Sequence, residues 1–282
     1  MYATSRNVGT IGEFQHDTVE KLALDVTSDE DVQRAVEHVV EVEGKIDIVV
    51  NNAGLFYAGE ITRASASLGH AVDDGTGALI DQSIDKVKNI FDTNTFGVLR
   101  LAKVAIPHMA KRRSGLIVNI GSVVADRLVD CFLWTLQVLM DVSVSATPWN
   151  GLYCATKAAM QSISDVLSME CRPFNISVLH VAPAAVKSNI SANGAAQFRL
   201  PDESLYSAFL PNILKRIHMS QSMGAMETDE FARQVVSTAL RRKPPLYLYA
   251  GGKSWLFQLF RWLPKPWVLS FIWKEYSQKI KG

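Results

Sequence analysis

Short apolar runs and longer amphipathic stretches alternate along most of the chain. The short runs, rich in β-branched residues, predict strands at 2–5, 21–26, 46–50, 115–120, 176–181 and 246–250. The longer stretches, in which apolar residues recur every three or four positions, predict helices that begin near Thr27 and that cover 83–111 and 151–171. Strands that alternate with helices form parallel sheets, so the pattern predicts an α/β fold with a doubly wound parallel sheet.

The region from Thr27 to Val50 shows this alternation most clearly. Thr27-Ser28-Asp29-Glu30 has the form of a capping box, which starts a helix, and Gly44 is a typical helix stop. Ile46–Val50 follows as a β-branched run interrupted by a single aspartate. Such a run is typical of a strand covered on both faces, so we expect this strand to be buried on both sides.

Composition narrows the class of protein. A chain of 282 residues that is 48% hydrophobic can build one sizeable core, and one domain with an extended end is favoured over two domains. A net charge of +1 argues against nucleic acid as a partner. Cys131, Cys154 and Cys171 are odd in number and lack metal-binding spacing, which predicts no metal site and a reducing, intracellular compartment. No signal peptide is visible at the start.

The segment 151–171 carries the clearest candidate chemistry. On a helix, Tyr153 and Lys157 lie one turn apart on the same face. A phenol has an ordinary pKa of about 10, and a nearby ammonium favours its ionised form. The pair is therefore expected to deliver or take up a proton near neutral pH, with Tyr153 as the proton donor and Lys157 as its electrostatic partner.

Two asparagine motifs precede this helix. Asn51-Asn52-Ala53-Gly54 directly follows the predicted strand 46–50, where small residues let the backbone approach a ligand at the carboxyl end of a parallel sheet. Asn94 lies inside the predicted helix 83–111, where its side chain can disturb the hydrogen-bond ladder. Ser122 follows the strand 115–120 after a single glycine.

Taken together in this order, the motifs resemble the short-chain dehydrogenase/reductase family over roughly residues 2–250. The resemblance implies a Rossmann-like sheet and a catalytic set of Asn94, Ser122, Tyr153 and Lys157. In that set Tyr153 protonates a carbonyl oxygen that Ser122 also binds, and Lys157 lowers the pKa of Tyr153. Lys157 also holds the nicotinamide ribose, and Asn94 supports a water relay.

The resemblance also implies a dinucleotide cofactor. Its remaining contacts fall on residues at or beyond the ends of strands: Arg6, Asp25, Asn52, Ala53, Gly54, Val186 and Ser188. Arg6 takes the position that recognises the adenosine ribose, and an arginine there accommodates a 2′-phosphate, so NADPH is favoured over NADH. The alternative is that Arg6 is a solvated surface residue.

The chain departs from the family pattern in three places. The family begins with a strand, a glycine-rich turn and a helix that would precede Tyr2, and residues 1–282 do not contain this unit. We therefore expect a sheet truncated at its N-terminus, without its central strand, and weak binding of the cofactor pyrophosphate. Segments 64–79 and 127–147 interrupt the pattern, since Tyr153 follows Ser122 by 31 positions. They are either real insertions, such as a substrate lid, or gene-model artefacts.

The domain is expected to cover 1–252 and an amphipathic tail 253–282. The tail holds four of the six tryptophans and six basic residues against Glu275. Aromatic and basic residues suit a segment at a membrane interface, whereas packing on the domain or a homo-oligomer contact is the alternative. The tail resembles that of fungal NADPH-dependent 1-acyldihydroxyacetone-phosphate reductases.

This resemblance implies reduction of a lipophilic ketone at the endoplasmic reticulum or lipid-droplet surface, or else in the cytoplasm. The alternatives are a secondary-metabolite ketone reductase and a catalytically inactive paralogue.

Overall fold

The structure is a computed structural model that describes residues 1–54, 76–125, 146–188, 198–218, 224–255 and 263–277. In chain order its strands and helices are β1 (Tyr2–Ser5), β2 (Glu20–Ala23), α1 (Asp29–Glu43), β3 (Ile48–Asn51), α2 (Ile84–Phe91), α3 (Gly97–Arg112), β4 (Gly115–Ile120), α4 (Gly151–Glu170), β5 (Ile176–Pro183), α5 (Leu210–His218), α6 (Thr228–Ala239), β6 (Tyr247–Ala250) and α7 (Lys265–Tyr276). A π-helical turn, Asp92–Phe96, joins α2 to α3.

The strands form two parallel sheets, which confirms the predicted α/β class. In one sheet β1 pairs with β2, and in the other the order is β3-β4-β5-β6. Within the described residues β1 and β3 do not pair with each other, so each presents an edge.

One layer of helices joins the two sheets. A single hydrophobic cluster combines Leu24, which directly follows β2, with residues of α1, α3 and β4. These residues include Val32, Val36, Leu101, Met109 and Ile117. Apolar residues of α1 thus pack in the same core as the four-stranded sheet. The two sheets therefore share one hydrophobic core.

The local signals near α1 are largely confirmed. Gly44 ends α1 in a left-handed conformation with φ of 70°, and its N–H donates to the carbonyl of Val40. The N-cap, however, is Ser28, whose hydroxyl accepts from the N–H of Asp31 at 3.1 Å. The prediction that Thr27 caps the helix is wrong, because its hydroxyl donates instead to the carboxylate of Asp25 at 2.7 Å.

The expectation that β3 is buried on both faces is wrong. Ile48 is 39% exposed and Val50 is 54% exposed, whereas Val118, the register partner of Val50 in β4, is 0% exposed. The apolar composition of β3 and β4 predicts the same burial on both faces for each strand. The difference arises because β4 has a strand on each side and β3 is an edge strand.

Because of this contrast, truncation to alanine is expected to lower the free energy of unfolding more at Val118 than at its register partner Val50. Val118→Ala is expected to lower the free energy of unfolding by about 2 kcal/mol, because it leaves a cavity in the core. Val50→Ala is expected to change it by less than about 0.5 kcal/mol, because its side chain is half exposed. Urea unfolding of both variants measures the difference, and equal costs would show that Val50 is covered in solution.

The C-terminal part forms a second hydrophobic cluster. It packs Val268, Ile272 and Tyr276 of α7 against Ile213 and Ile217 of α5. The indole N–H of Trp149 donates to the carbonyl of Tyr276 at 3.0 Å, which ties α7 to the start of α4. None of the helices in the described ranges is long and apolar enough to cross a membrane. The suspected insertions 64–79 and 127–147, apart from 76–79 and 146–147, lie outside the described residues.

Candidate active site

The π-helical turn between α2 and α3 holds Asn94. The sequence predicts one long helix here, with Asn94 disturbing it, and the structure interrupts the helix with one wide turn at Asp92–Phe96. Turns of this kind are frequent at functional sites. Asn94 is 0% exposed and its amide donates to the hydroxyl of Thr156 on α4 at 3.1 Å. The turn therefore fixes Asn94 against the helix that carries Tyr153 and Lys157.

Helix α4 brings Tyr153 and Lys157 together, one turn apart as the spacing predicts. The ammonium of Lys157 lies 5.7 Å from the centroid of the Tyr153 ring and donates to the carbonyl of Ile120 at 2.8 Å. Ile120 ends β4, and Ser122 follows it on the same loop. Ser122 and Tyr153 share a side-chain hydrogen bond. Three of the four predicted catalytic side chains therefore meet at the carboxyl end of β4.

The proton affinities of the pair differ from the sequence-based expectation. Burial around the hydroxyl raises the pKa of Tyr153 to about 12, although the hydrogen bond from Ser122 and the charge of Arg216 act in the opposite direction. Burial also lowers the pKa of Lys157 to about 8. Desolvation disfavours the charged form of both groups and exceeds the attraction that the spacing suggested. Tyr153 therefore remains a protonated donor throughout the neutral range.

The loop after β3 lies against Lys157 and Asn94. A Cβ atom added to Gly54 would stand 3.4 Å from Lys157 Nζ and 3.6 Å from Asn94 Oδ1. The motif Asn51-Asn52-Ala53-Gly54 thus reaches the lysine and the asparagine through a residue without a side chain. Asn52, Ala53 and Gly54 are exposed. This arrangement leaves the backbone of the loop accessible beside Lys157.

The other predicted cofactor residues also lie beyond the carboxyl ends of strands. Arg6 directly follows β1 and is exposed. Asp25 lies two residues beyond β2, where one carboxylate oxygen accepts from the N–H and hydroxyl of Thr27. Val186 and Ser188 follow β5, and Val186 forms a β-bridge with Met226. Their roles toward a cofactor stay predictions.

Sequence reasoning missed a buried polar network below the site. Asn51 donates to Asn119 at 2.7 Å, Asn119 donates to the Ser164 hydroxyl at 2.9 Å, and that hydroxyl lies 3.1 Å from Nδ1 of His180. Burial, and then the charge of Lys157, lower the pKa of His180 to about 4. Single polar residues inside apolar strands, such as Asn119 and His180, were the available signal.

The described residues fit the nicotinamide end of a dinucleotide cofactor but not its pyrophosphate. Lys157 and Asn94 offer an ammonium and an amide beside the open backbone of Gly54, which suits a ribose and a nicotinamide. The helix after β2 does not suit the pyrophosphate, because its first turn carries Asp29, Glu30 and Asp31. When bound, such a cofactor would supply a hydride.

A parallel sheet flanked by helices, with polar side chains gathered at the carboxyl end of a strand, is the arrangement in which open α/β proteins bind dinucleotides. The family model described as short chain dehydrogenase matches residues 4–132 and 138–197. The chain belongs to the short-chain dehydrogenase family.

Known proteins resemble the chain over most of its length. It is 27% identical over 267 residues to the 3-ketodihydrosphingosine reductase of Bacteroides thetaiotaomicron, covering 91% of this chain and 83% of that protein. A short-chain dehydrogenase from Streptomyces avermitilis shares the fold with a TM-score of 0.68 and 23% identity, covering 98% of this chain and 88% of that one. An alcohol dehydrogenase from the archaeon Thermococcus sibiricus, complexed with 5-hydroxy-NADP, has a TM-score of 0.54 and 20% identity, covering 84% and 75%.

Proposed function

We propose that the chain is an NADPH-dependent reductase of a ketone on a lipophilic substrate. The observation that carries the proposal is the hydrogen bond between Ser122 and Tyr153 beside the ammonium of Lys157. Both hydroxyls can donate to one carbonyl oxygen, and Tyr153, protonated at neutral pH, can transfer its proton to the alkoxide as it forms. Lys157 holds positive charge next to the phenolate that remains.

A lipophilic substrate is favoured by the surroundings of the site. Trp149, Tyr206, Phe209 and Trp273 form an aromatic cluster with ring centroids 5.4–6.4 Å apart. Trp149 lies two residues before the start of α4, the helix that carries Tyr153. The Bacteroides relative is named as a reductase of 3-ketodihydrosphingosine. Among lipophilic ketones, 1-acyl-dihydroxyacetone phosphate is our first choice.

A substrate panel tests this choice. Purified protein is given NADPH at millimolar concentration and one of four ketones: 1-acyl-dihydroxyacetone phosphate, 3-ketodihydrosphingosine, a polyketide ketone or a short water-soluble ketone. We expect the two lipids to be reduced with the highest kcat/KM and the phosphate lipid to rank first. A preference for the polyketide would favour a role in secondary metabolism. Absence of turnover with all four would favour an inactive protein.

Arg6 is expected to determine the cofactor preference, because its guanidinium can pair with the 2′-phosphate that NADPH has and NADH lacks. Arg6→Asp should reverse the preference and lower the kcat/KM ratio of NADPH to NADH by about tenfold or more, since charge-assisted hydrogen bonds contribute roughly 1.5–3 kcal/mol. Arg34→Asp, an exposed arginine on α1, is the control. An unchanged ratio in Arg6→Asp would show that Arg6 does not contact the cofactor.

We also propose that α7 lies on a membrane surface. Val268, Ile272 and Tyr276 bury one face of the helix, whereas Trp267 and Phe271 are 70% and 57% exposed. Trp267 and Phe271 are one turn apart and so share a face. The tail 253–282 is rich in lysine and arginine, which adds attraction to anionic lipids. A reductase held at such a surface would meet its lipid substrate there.

Removing the exposed aromatic face should weaken membrane binding. The double variant Trp267→Ser/Phe271→Ser is expected to bind vesicles of phosphatidylcholine and phosphatidylserine at least about tenfold more weakly, because each buried aromatic ring contributes roughly 1.5–3 kcal/mol. Val236→Ser on α6, also 54% exposed, is the matched control and should bind as the parent protein does. Equal binding of all three proteins in a vesicle-pelleting assay would contradict the proposal.

A further inference from the structure

Strand β5 buries a histidine among apolar residues. His180 is 1% exposed and lies between Leu179 and Val181, which are both 0% exposed. A buried imidazole loses its hydration, and this cost is offset only when its nitrogens find partners or its ring makes close contacts. The proton transfer from Tyr153 does not involve His180, so its burial is not explained by that step.

One ring nitrogen of His180 is held by helix α4. The hydroxyl of Ser164 on this helix accepts from the amide of Asn119 at 2.9 Å and donates its only hydrogen to the carbonyl of Met160 at 2.8 Å. The same hydroxyl lies 3.1 Å from Nδ1 of His180, so Nδ1 carries the hydrogen of that bond. Burial lowers the pKa of His180 to about 4, which keeps the ring neutral. The neutral ring is therefore in the tautomer that leaves Nε2 without a hydrogen.

The other edge of the ring lies against the backbone of Gly121. A Cβ atom added to Gly121 would stand 2.3 Å from Nε2 and 2.4 Å from Cε1 of His180. The ring thus occupies the space in which any other residue at position 121 would carry its side chain. Within the part of the chain that the structure describes, Nε2 has no hydrogen-bond partner. The contact between His180 and Gly121 is therefore a packing contact.

The position of Gly121 determines the position of Ser122. The N–H of Gly121 donates to the carbonyl of Val181 at 2.7 Å, so β5 holds this glycine through its backbone as well as through the His180 ring. Gly121 and Ser122 are joined by one planar peptide unit, which keeps their Cα atoms about 3.8 Å apart. A displacement of Gly121 therefore displaces Ser122, whose hydroxyl is hydrogen-bonded to Tyr153.

We propose that His180 is a positioning residue whose ring bridges helix α4 and the loop that carries Ser122, and so sets the distance between the Ser122 and Tyr153 hydroxyls. One edge of the ring is held by Ser164 of that helix, and the other contacts Gly121, the residue before Ser122. The proposal rests on the proposed function in that both hydroxyls are taken to meet one carbonyl oxygen. His180 itself contacts neither the substrate nor the transferred proton in this scheme.

The hydrogen bond between Ser122 and Tyr153 is followed by titrating the phenol. A fluorinated tyrosine, which ionises nearer to neutral pH than tyrosine does, is incorporated at position 153 and observed by fluorine NMR. Ser122→Ala removes a hydrogen bond that favours the phenolate, so in the parent protein it should raise the pKa of this phenol by roughly one unit. The charges of Lys157 and Arg216, which act on this region, are the same in all proteins compared. The titration requires neither NADPH nor a ketone.

In His180→Ala, the same Ser122→Ala change should raise the phenol pKa by less than about 0.3 unit, because the Ser122 hydroxyl has already moved away from the phenol. His180→Gln, whose amide group reaches as far as Nε2 of the imidazole, should retain most of the pKa shift seen in the parent protein. His180→Asn keeps a donor near Nδ1 but does not reach Gly121, so it should behave as His180→Ala does.

His38→Ala is the matched control. His38 is a partly buried histidine on α1 whose ring lies against Tyr2, with the ring centroids 6.0 Å apart. Its removal deletes an imidazole that does not contact Gly121. In this background, the pKa shift caused by Ser122→Ala should stay within about 0.3 unit of the parent shift, because distant sites are additive.

Equal pKa shifts from Ser122→Ala in the parent protein and in His180→Ala would overturn the proposal, and so would a parent protein in which Ser122→Ala leaves the phenol pKa unchanged. If His180→Ala does not fold, as circular dichroism will show, His180→Gln and His180→Asn are compared instead, and equal shifts in these two would overturn it. Absence of ketone reduction by the parent protein would refute the proposed function and leave the titration result valid.

Discussion

Tyr153→Phe is expected to lower turnover by roughly a hundredfold to ten-thousandfold, the range that a positioned general acid contributes. The phenylalanine keeps the ring over which the Lys157 ammonium lies and removes only the hydroxyl that Ser122 binds. Binding of NADPH should therefore change little, and the loss should fall on kcat. Steady-state kinetics with a long-chain ketone, together with a fluorescence titration of NADPH, separate the two effects.

Tyr247→Phe is the matched control for this variant. The Tyr247 hydroxyl donates to the carboxylate of Asp165, and its ring lies against His180 rather than against Tyr153. Its removal should leave kcat within about threefold of the parent value, since it reports only the cost of losing a partly buried hydroxyl. Full activity in Tyr153→Phe would refute the assignment of Tyr153 as the proton donor.

Gly121→Ala is expected to lower the free energy of unfolding. A Cβ atom at this position would stand 2.3 Å from Nε2 of His180 and 3.2 Å from the carbonyl of Val181. Overpacking of this kind costs about 1–3 kcal/mol, and the shift would be passed to Ser122, the next residue. Urea unfolding should show the loss of stability. Turnover should fall because the displaced Ser122 hydroxyl no longer reaches the substrate carbonyl oxygen that Tyr153 protonates.

A second-site change identifies the cause. His180→Ala removes the ring that the new methyl group would strike, so Gly121→Ala/His180→Ala should be more stable than the sum of the single variants predicts. The expected coupling is about 0.5–3 kcal/mol. If the two changes are additive, the contact between Gly121 and His180 is not what makes alanine unfavourable at position 121.

Local signals predicted much of the fold. Strand β4 and the start of α4 were predicted at their observed bounds, and Gly44 was recognised as the end of α1. These features depend on neighbouring residues alone, such as a β-branched run or a glycine that adopts a positive φ. The pairing of Tyr153 with Lys157 also followed from their spacing on one helix. The meeting of Ser122 with this pair was implied only by the family resemblance.

Features that depend on tertiary packing were not predictable in this way. The exposure of Val50 reflects which strands flank β3, although its sequence resembles that of the buried β4. The raised pKa of Tyr153 reflects burial that spacing on a helix does not show. The burial of Arg216 depends on its contact with Thr147 and on the packing of α5 against α7, which local sequence patterns do not show.

The central claim is that this chain transfers a hydride from NADPH to a ketone with Tyr153 as the proton source. The most direct measurement incubates the 282-residue protein with NADPH deuterated at the transferable position and a long-chain ketone, and then determines deuterium in the product alcohol by mass spectrometry. The account predicts one deuterium on the carbinol carbon with the parent protein and almost none with Tyr153→Phe. A ketone recovered unreduced from folded protein that has bound NADPH, or equal labelling by both proteins, would contradict it.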